Sequence, residues 1–235
     1  LGYYGQPYIK TPRIDELAAR GMAFTQFYSG ATVCAPSRCT LMTGRHNGHA
    51  SVRGNAKPDD TLSQSLLADD FTIAEMLKSR GYETACIGKW GLGEIGEPGH
   101  PMEQGFDHFY GYLNQVHAHN YYPGFLFNGL APQTLRNEVV LASPQRGDIG
   151  GGYASKRVDY APELCVQKAT EFITQPRSTP FFLYFAPTLP HANNEAARMT
   201  GNGSEVPSWS DYSDQAWDVN TKQYAAMVTY LDTIV

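Results

Sequence analysis

The sequence predicts an α/β fold built on a largely parallel sheet. Two observations carry this. First, a helical pattern is twice followed closely by a strand-like apolar run: residues 72–80 then 83–88, and residues 163–175 then 180–186. Helix and buried strand in alternation is the pattern of parallel pairing. Second, residues 180–186, Pro-Phe-Phe-Leu-Tyr-Phe-Ala, are nearly all apolar, as a strand covered on both faces would be. Sheets of this kind bind ligands outside the carboxyl ends of their strands. Chemistry is therefore expected in the residues just after each strand.

The elements follow in order. Thr11 and Pro12 open a helix as N-cap and first helical residue, with Ile14, Leu17 and Ala18 as its inner face and Gly21 as its end. Residues 22–28 alternate and are rich in aromatics, which predicts a strand. Residues 29–33 are the loop that delivers Cys34. Residues 36–43 form a short helix: Pro36 is tolerated in its first turn and Gly44 suits the left-handed position that ends it. Thr72-Ile73-Ala74-Glu75 is a capping box, opening a helix that runs to Arg80 and stops at Gly81. Residues 83–88 are the strand that follows. From 94 to about 160, and again from 192 to 220, regular patterning fades into Gly-, Pro-, Asn- and Tyr-rich sequence. Long irregular stretches with this many aromatics are expected to be ordered, functional loops. Leu164, Ala169, Phe172 and Ile173 are the inward face of the helix at 163–175, and a last helix covers 221–235.

A chain of 235 residues suits one domain with one sizeable core. The net charge of −5 argues against non-specific nucleic-acid binding. An anionic substrate would need positive charge placed locally. The four cysteines form no C-x-x-C pair, which argues against a structural zinc site. No apolar run is long enough to span a membrane. The chain starts on Leu1-Gly2-Tyr3 without an initiator Met and stops within a helical pattern, so it reads as a piece cut at both ends.

Residues 34–45 read Cys-Ala-Pro-Ser-Arg-Cys-Thr-Leu-Met-Thr-Gly-Arg. A helix N-terminus just after Cys34 offers unpaired N–H groups and partial positive charge, which suit an anion. Arg38 adds a cation with a planar donor fork. A thiol so placed has a lowered pKa and can be a nucleophile. Lys89 and His191 each lie just past a predicted strand. His117 and His119 at i, i+2 would share one side of an extended segment, where they could hold a metal, donate to an anion or stay solvated; substrate contact is favoured for one of them. Asn193, Asn194 and Glu195 are candidates for substrate hydroxyls. Arg45 is expected to bond helix-end carbonyls or a neighbouring loop. Asn55 is assigned no chemistry. The acid pairs Asp59-Asp60 and Asp69-Asp70 are read as solvated turns.

The segment 34–45 resembles the signature of the type I sulfatases, Cys-x-Pro-Ser-Arg followed by Leu-x-Thr-Gly-Arg, at Cys34, Pro36, Ser37, Arg38, Leu41, Thr43, Gly44 and Arg45. Residues 88–93, Gly-Lys-Trp-Gly-Leu-Gly, are similar to the second signature, with Gly91 where many members carry histidine. Gln104 to Tyr112, Pro190-His191 and the starting segment also look like sulfatase sequence. The resemblance implies an alkaline-phosphatase-like fold, a central largely parallel sheet with helices on both faces. It makes residues 1–235 the N-terminal and central part of the catalytic domain, without the smaller C-terminal subdomain. It implies that a maturation enzyme oxidises Cys34 to formylglycine, whose hydrated diol attacks a sulfate ester and later expels sulfate. Arg38 and Lys89 would stabilise charge, and His191 would protonate the leaving oxygen. One of His117 and His119 could replace the histidine missing at Gly91.

The resemblance also implies Ca²⁺, bound by formylglycine 34 and by acidic pairs outside this chain, so that these residues alone would be inactive. It implies an exported protein, periplasmic, extracellular or lysosomal. Aromatic and amide-rich loops favour a sulfated carbohydrate over other sulfate esters. Two other readings remain open: a phosphonate monoester or phosphodiester hydrolase of the same superfamily, and a non-catalytic binder of sulfated glycans.

Overall fold

The computed structural model describes residues 1–55 and 64–235. Asp59-Asp60 lies outside the described residues. The helices are α1 (Pro12–Arg20), α2 (Cys34–Thr43), α3 (Ile73–Lys78), α4 (Ala161–Thr174), α5 (Asn194–Thr200) and α6 (Val219–Ile234). The strands are β1 (Glu83–Lys89), β2 (His108–Tyr112), β3 (Phe125–Asn128), β4 (Ala131–Thr134), β5 (Glu138–Leu141), β6 (Gly152–Lys156) and β7 (Phe181–Ala186).

Five strands make one sheet in the order β4-β3-β2-β1-β7. Its middle is parallel: β1 pairs with β2 from Ala85↔His108 to Lys89↔Tyr112, and with β7 from Glu83↔Phe181 to Gly88↔Ala186. The hairpin β3–β4 extends it antiparallel on one edge, and β5–β6 form a separate antiparallel ribbon. Alternation along β1 divides the core. Cys86 joins Ala35, Cys39 and Met42 of α2 and Ala74 of α3 on one face. Ala85 and Ile87 join Ala161, Cys165, Ala169 and Phe172 of α4 on the other. Helices therefore cover both faces, as expected. A third cluster packs α6 against Tyr121, Tyr160, Leu189 and Tyr212, bracing the loops beyond the strand ends.

The capping box opens α3 as expected: Glu75 N–H bonds Thr72 Oγ1 (3.2 Å) and Thr72 N–H bonds the Glu75 carboxylate (2.8 Å). Several expectations need correction. Residues 22–28 form no strand; Met22, Phe24, Phe27 and Tyr28 are 61–79% exposed. Alternation makes the backbone extended, but a strand needs a partner ladder, and no described strand lies beside it. For a similar reason α1 buries none of its residues, and Leu17 is exposed. β7 is an edge among the described strands, so its side chains are mostly half-buried rather than covered on both faces. Ile173 points to solvent. The region 94–160 contains five short strands, whose Gly and Pro residues and length of four or five mask any period of two. Asp70 is not a solvated turn residue. It is 2% exposed and accepts from Leu67 N (3.0 Å), Ser51 Oγ and Arg45 (3.2 Å). Arg45 thus anchors a loop beside α2, one of its two expected roles. All four cysteines are free thiols. Among the described residues no helix is long and apolar enough to cross a membrane.

Candidate active site

The site begins at the first turn of α2. Val33 is the extended N-cap and Cys34 is the first helical residue, so the helix starts two residues earlier than expected. Helix starts leave N–H groups unpaired; here Asn55 Oδ1 accepts from Ala35 N at 3.0 Å. Gly44, at φ 68°, closes the helix and returns its N–H to Thr40 O. Gly30 lets the preceding loop lie against α2, because a Cβ there would sit 1.9 Å from Thr40 Oγ1. Arg38 ties α2 to two strands. Its Nη1 donates to Lys89 O (2.6 Å) at the end of β1 and to the Tyr184 hydroxyl (3.1 Å) on β7.

Lys89 is the last residue of β1 and only 3% exposed. Burial pulls its pKa down to about 8, opposed by the neighbouring Cys34. The Cys34 thiol is lowered to about 6. The hydrogen bond with His191 is the largest cause; burial works against it, while the charges of Lys89 and His191 and a bond from Asn55 add to it. A lowered thiol beside a helix N-terminus and cations is the setting of a reactive cysteine.

Above Cys34 opens a cavity of about 630 Å³, lined among others by Arg38, Asn55, His119, Tyr184, His191 and Asn194. His191 Nδ1 lies 2.7 Å from the Ala192 carbonyl. A carbonyl only accepts, so Nδ1 carries a proton and Nε2 is the ring nitrogen left to face Cys34 and the cavity. The His119 ring stacks parallel on His191, with centroids 4.8 Å apart and 8° between planes. His119 Nδ1 lies 2.9 Å from Glu195 Oε2.

Of the residues expected at the site, the structure brings together Cys34, Arg38, His119, His191 and Asn194 around the cavity, with Lys89 beneath Cys34. Three others are placed elsewhere. His117 is fully buried between Tyr112 (5.1 Å) and Phe125 (4.6 Å). The segment His117–His119 is a 3₁₀ turn, not an extended strand. With about three residues per turn, i and i+2 face different ways. Asn193 is fully buried and caps α5: its Oδ1 accepts from Ala196 N (3.0 Å), and its Nδ2 donates to Gly152 O (2.9 Å) and Glu205 (2.8 Å). Glu195 is 7% exposed and faces His119 rather than the cavity.

Gly91 has φ +77°, and a Cβ there would meet Gln115 Nε2 at 1.9 Å. Gln115, which donates to Gly91 O at 3.1 Å, occupies the room a side chain at 91 would need. Sequence reasoning missed Asn55, Tyr184 and Gln115. Asn55 was assigned no chemistry; Tyr184 looked like one more apolar strand residue, and Gln115 carried no signal at all.

Calcium prefers several oxygen ligands. Among the described residues no three His, Cys, Asp or Glu side chains converge to hold a metal ion, so these residues do not by themselves make that donor set.

The sulfatase family model matches residues 1–235. The N-acetylgalactosamine-6-sulfatase of Sus scrofa is 32% identical over 228 residues, covering 90% of this chain and 41% of that protein. Arylsulfatase A of Homo sapiens is 34% identical over 227 residues, covering 86% and 41%. Among solved structures, Ps i-CgsB superposes with a TM-score of 0.71 at 24% identity, covering 99% of this chain and 49% of that one. The chain spans about two fifths of the length of these curated relatives.

Proposed function

The chain belongs to the sulfatase family, and from that premise we propose that the whole protein hydrolyses sulfate esters of a carbohydrate at a formylglycine made from Cys34. The observation that carries this reading is convergence. The α2 start and the loop after β7 bring Cys34, Arg38 and His191 to one cavity, and the end of β1 sets Lys89 against Cys34. Sulfate ester hydrolysis needs a nucleophile, cations against the sulfuryl oxygens, and an acid for the leaving oxygen.

When present, formylglycine at position 34 supplies a diol, one hydroxyl for attack and the other for release. The chain's own residues supply the rest. Arg38, held by the Lys89 carbonyl and Tyr184, and Lys89, held under Cys34, set positive charge where sulfate oxygens bind. That local charge answers the net charge of −5. His191, fixed through its Nδ1 proton, acts as the imidazolium, carrying a second proton at Nε2 that passes to the leaving oxygen as the sulfur–oxygen bond breaks. Asn194 and His119 line the far wall, where a sugar ring would sit.

A sugar substrate is supported by the relative named for N-acetylgalactosamine 6-sulfate. On this reading residues 1–235 are the N-terminal and central part of the catalytic domain. The remaining calcium ligands come from other parts of the whole protein, which is exported and matured before use.

The test is the mass of the tryptic peptide 21–38 from full-length protein made in its native host, together with turnover of aryl sulfate, sulfated sugars and an aryl phosphodiester. Formylglycine at 34 with turnover of sulfate esters supports the proposal. Unmodified cysteine, in a host shown to mature other sulfatases, overturns the formylglycine chemistry. Preference for the phosphodiester overturns the substrate class.

A further inference from the structure

Glu195 is brought to His119 from far along the chain. His119 sits on the 3₁₀ turn before β3, and Glu195 is the second residue of α5, after β7. Their side chains are only 12% and 8% exposed, and Nδ1 and Oε2 are 2.9 Å apart. Burial is the largest single influence and would raise the Glu195 carboxyl, but the bond and charge of His119, with a backbone bond and the charge of Arg198, together hold the group below the usual range. Its other oxygen faces Arg198 at 3.8 Å. An ionised carboxylate only accepts. His119 must therefore carry its proton on Nδ1, which leaves the lone pair on Nε2 of a ring that lines the cavity. The parallel His191 ring restricts rotation on one side, and the Asn193 cap fixes α5 on the other.

We infer that Glu195 is a positioning residue: it locks His119 in the Nδ1–H tautomer and presents Nε2 to the cavity as the acceptor for a hydroxyl bound beside position 34. This rests on the functional reading above and assigns Glu195 a task other than touching substrate. Carboxylate–histidine pairs act this way elsewhere, setting the tautomer and orientation of an imidazole. Two histidines with opposite tasks then share one stack. His191, as the imidazolium, gives a hydrogen bond at Nε2, and neutral His119 takes one.

Selective ¹⁵N labelling of histidine in the full-length protein reads the tautomer directly. The expected spectrum shows the His119 proton on Nδ1 in the unsubstituted protein. In Glu195→Gln, whose amide can donate to Nδ1, the population moves to Nε2–H. The same variant is expected to lose ~10- to 100-fold in kcat with a smaller change in KM. A His119 proton on Nε2 in the unsubstituted protein overturns the inference, whether or not the variant folds. Unchanged kcat in a folded Glu195→Gln protein also overturns it. If no sulfate ester is turned over at all, the functional reading fails, and the tautomer comparison still decides the role of Glu195.

Discussion

The cavity has two walls, built in different ways. One is α2 and the end of β1. Its parts are close in sequence or lie at the ends of paired strands, and each has a local reason: a helix start at Cys34, a left-handed glycine at 44, a strand end at Lys89. The other wall is His119, His191 and Asn194, from two loops that meet only because β1 lies between β2 and β7. On that wall adjacent residues have divided tasks. His119 lines the cavity and His117 is buried between Tyr112 and Phe125; Asn194 lines the cavity and Asn193 caps a helix. A segment can thus be placed at a site by the fold without all its polar residues belonging there.

The sharpest contrast between the walls is expected in turnover. Lys89→Ala removes the cation beneath Cys34, and kcat of the full-length protein should fall about 100- to 1000-fold. Thermal unfolding of the same sample checks that folding survives. Loss of less than ten-fold would show that the first wall is not the one that carries charge stabilisation.

Gly91 lies where the first wall meets Gln115. Gly91→His would force a side chain onto a backbone at φ +77° and onto the Gln115 amide. Left-handed strain and overpacking together should cost about 2–4 kcal/mol, read as a lower denaturant midpoint. Gly91→His with Gln115→Ala should recover part of it. An unchanged midpoint in the single variant would mean that Gln115 moves aside freely.

These contrasts show what the sequence made legible. The capping box at Thr72, the helix ended by Gly44, β1, and the apolar run of β7 follow from patterns within a few residues, and the structure contains each. The signature cysteine could be placed for the same reason. What stayed hidden depends on partners distant in sequence. Residues 22–28 have a strand's alternation without a described ladder. Asp70 looks like a surface acid until Ser51 and Arg45 close on it. Glu195 looks like a loop carboxylate until His119 arrives. The conformation of one turn decided the two histidines: extended backbone would have set them together, and a 3₁₀ turn sets them apart.

The histidine pair can be tested through stability. Burial lowers the His117 pKa to about 4, and the Phe125 backbone offsets only part of this. Between that value and the ordinary 6.5, the unfolded chain binds a proton that the folded chain does not. Stability from this residue is therefore complete above about pH 6.5 and is lost as pH falls towards 4, by about 3 kcal/mol across the window. His117→Phe should remove that component of the acid slope while leaving stability at pH 7.5 within about 1 kcal/mol and kcat/KM unchanged. A large loss of kcat/KM would return His117 to the site.

The smallest expected effect is at Asn194, and it depends on its neighbour for meaning. Asn194 lines the cavity and makes none of the cap bonds of α5. One hydrogen bond to a sugar hydroxyl is worth about 0.5–1.5 kcal/mol, so Asn194→Ala should raise KM by ~2- to 10-fold with kcat and thermal midpoint unchanged. Asn193→Ala should do the reverse. It removes the cap and the Nδ2 donor to the Gly152 carbonyl and to Glu205, which keeps Tyr121 N and Arg157, lowering stability by about 1–3 kcal/mol with KM per folded molecule unchanged. If both variants raise KM without loss of stability, the wall is a continuous sugar-binding surface, and the division of tasks between neighbours is wrong. If both lose stability with KM intact, the sugar lies against α2 instead, and the cation-bearing wall does the binding as well.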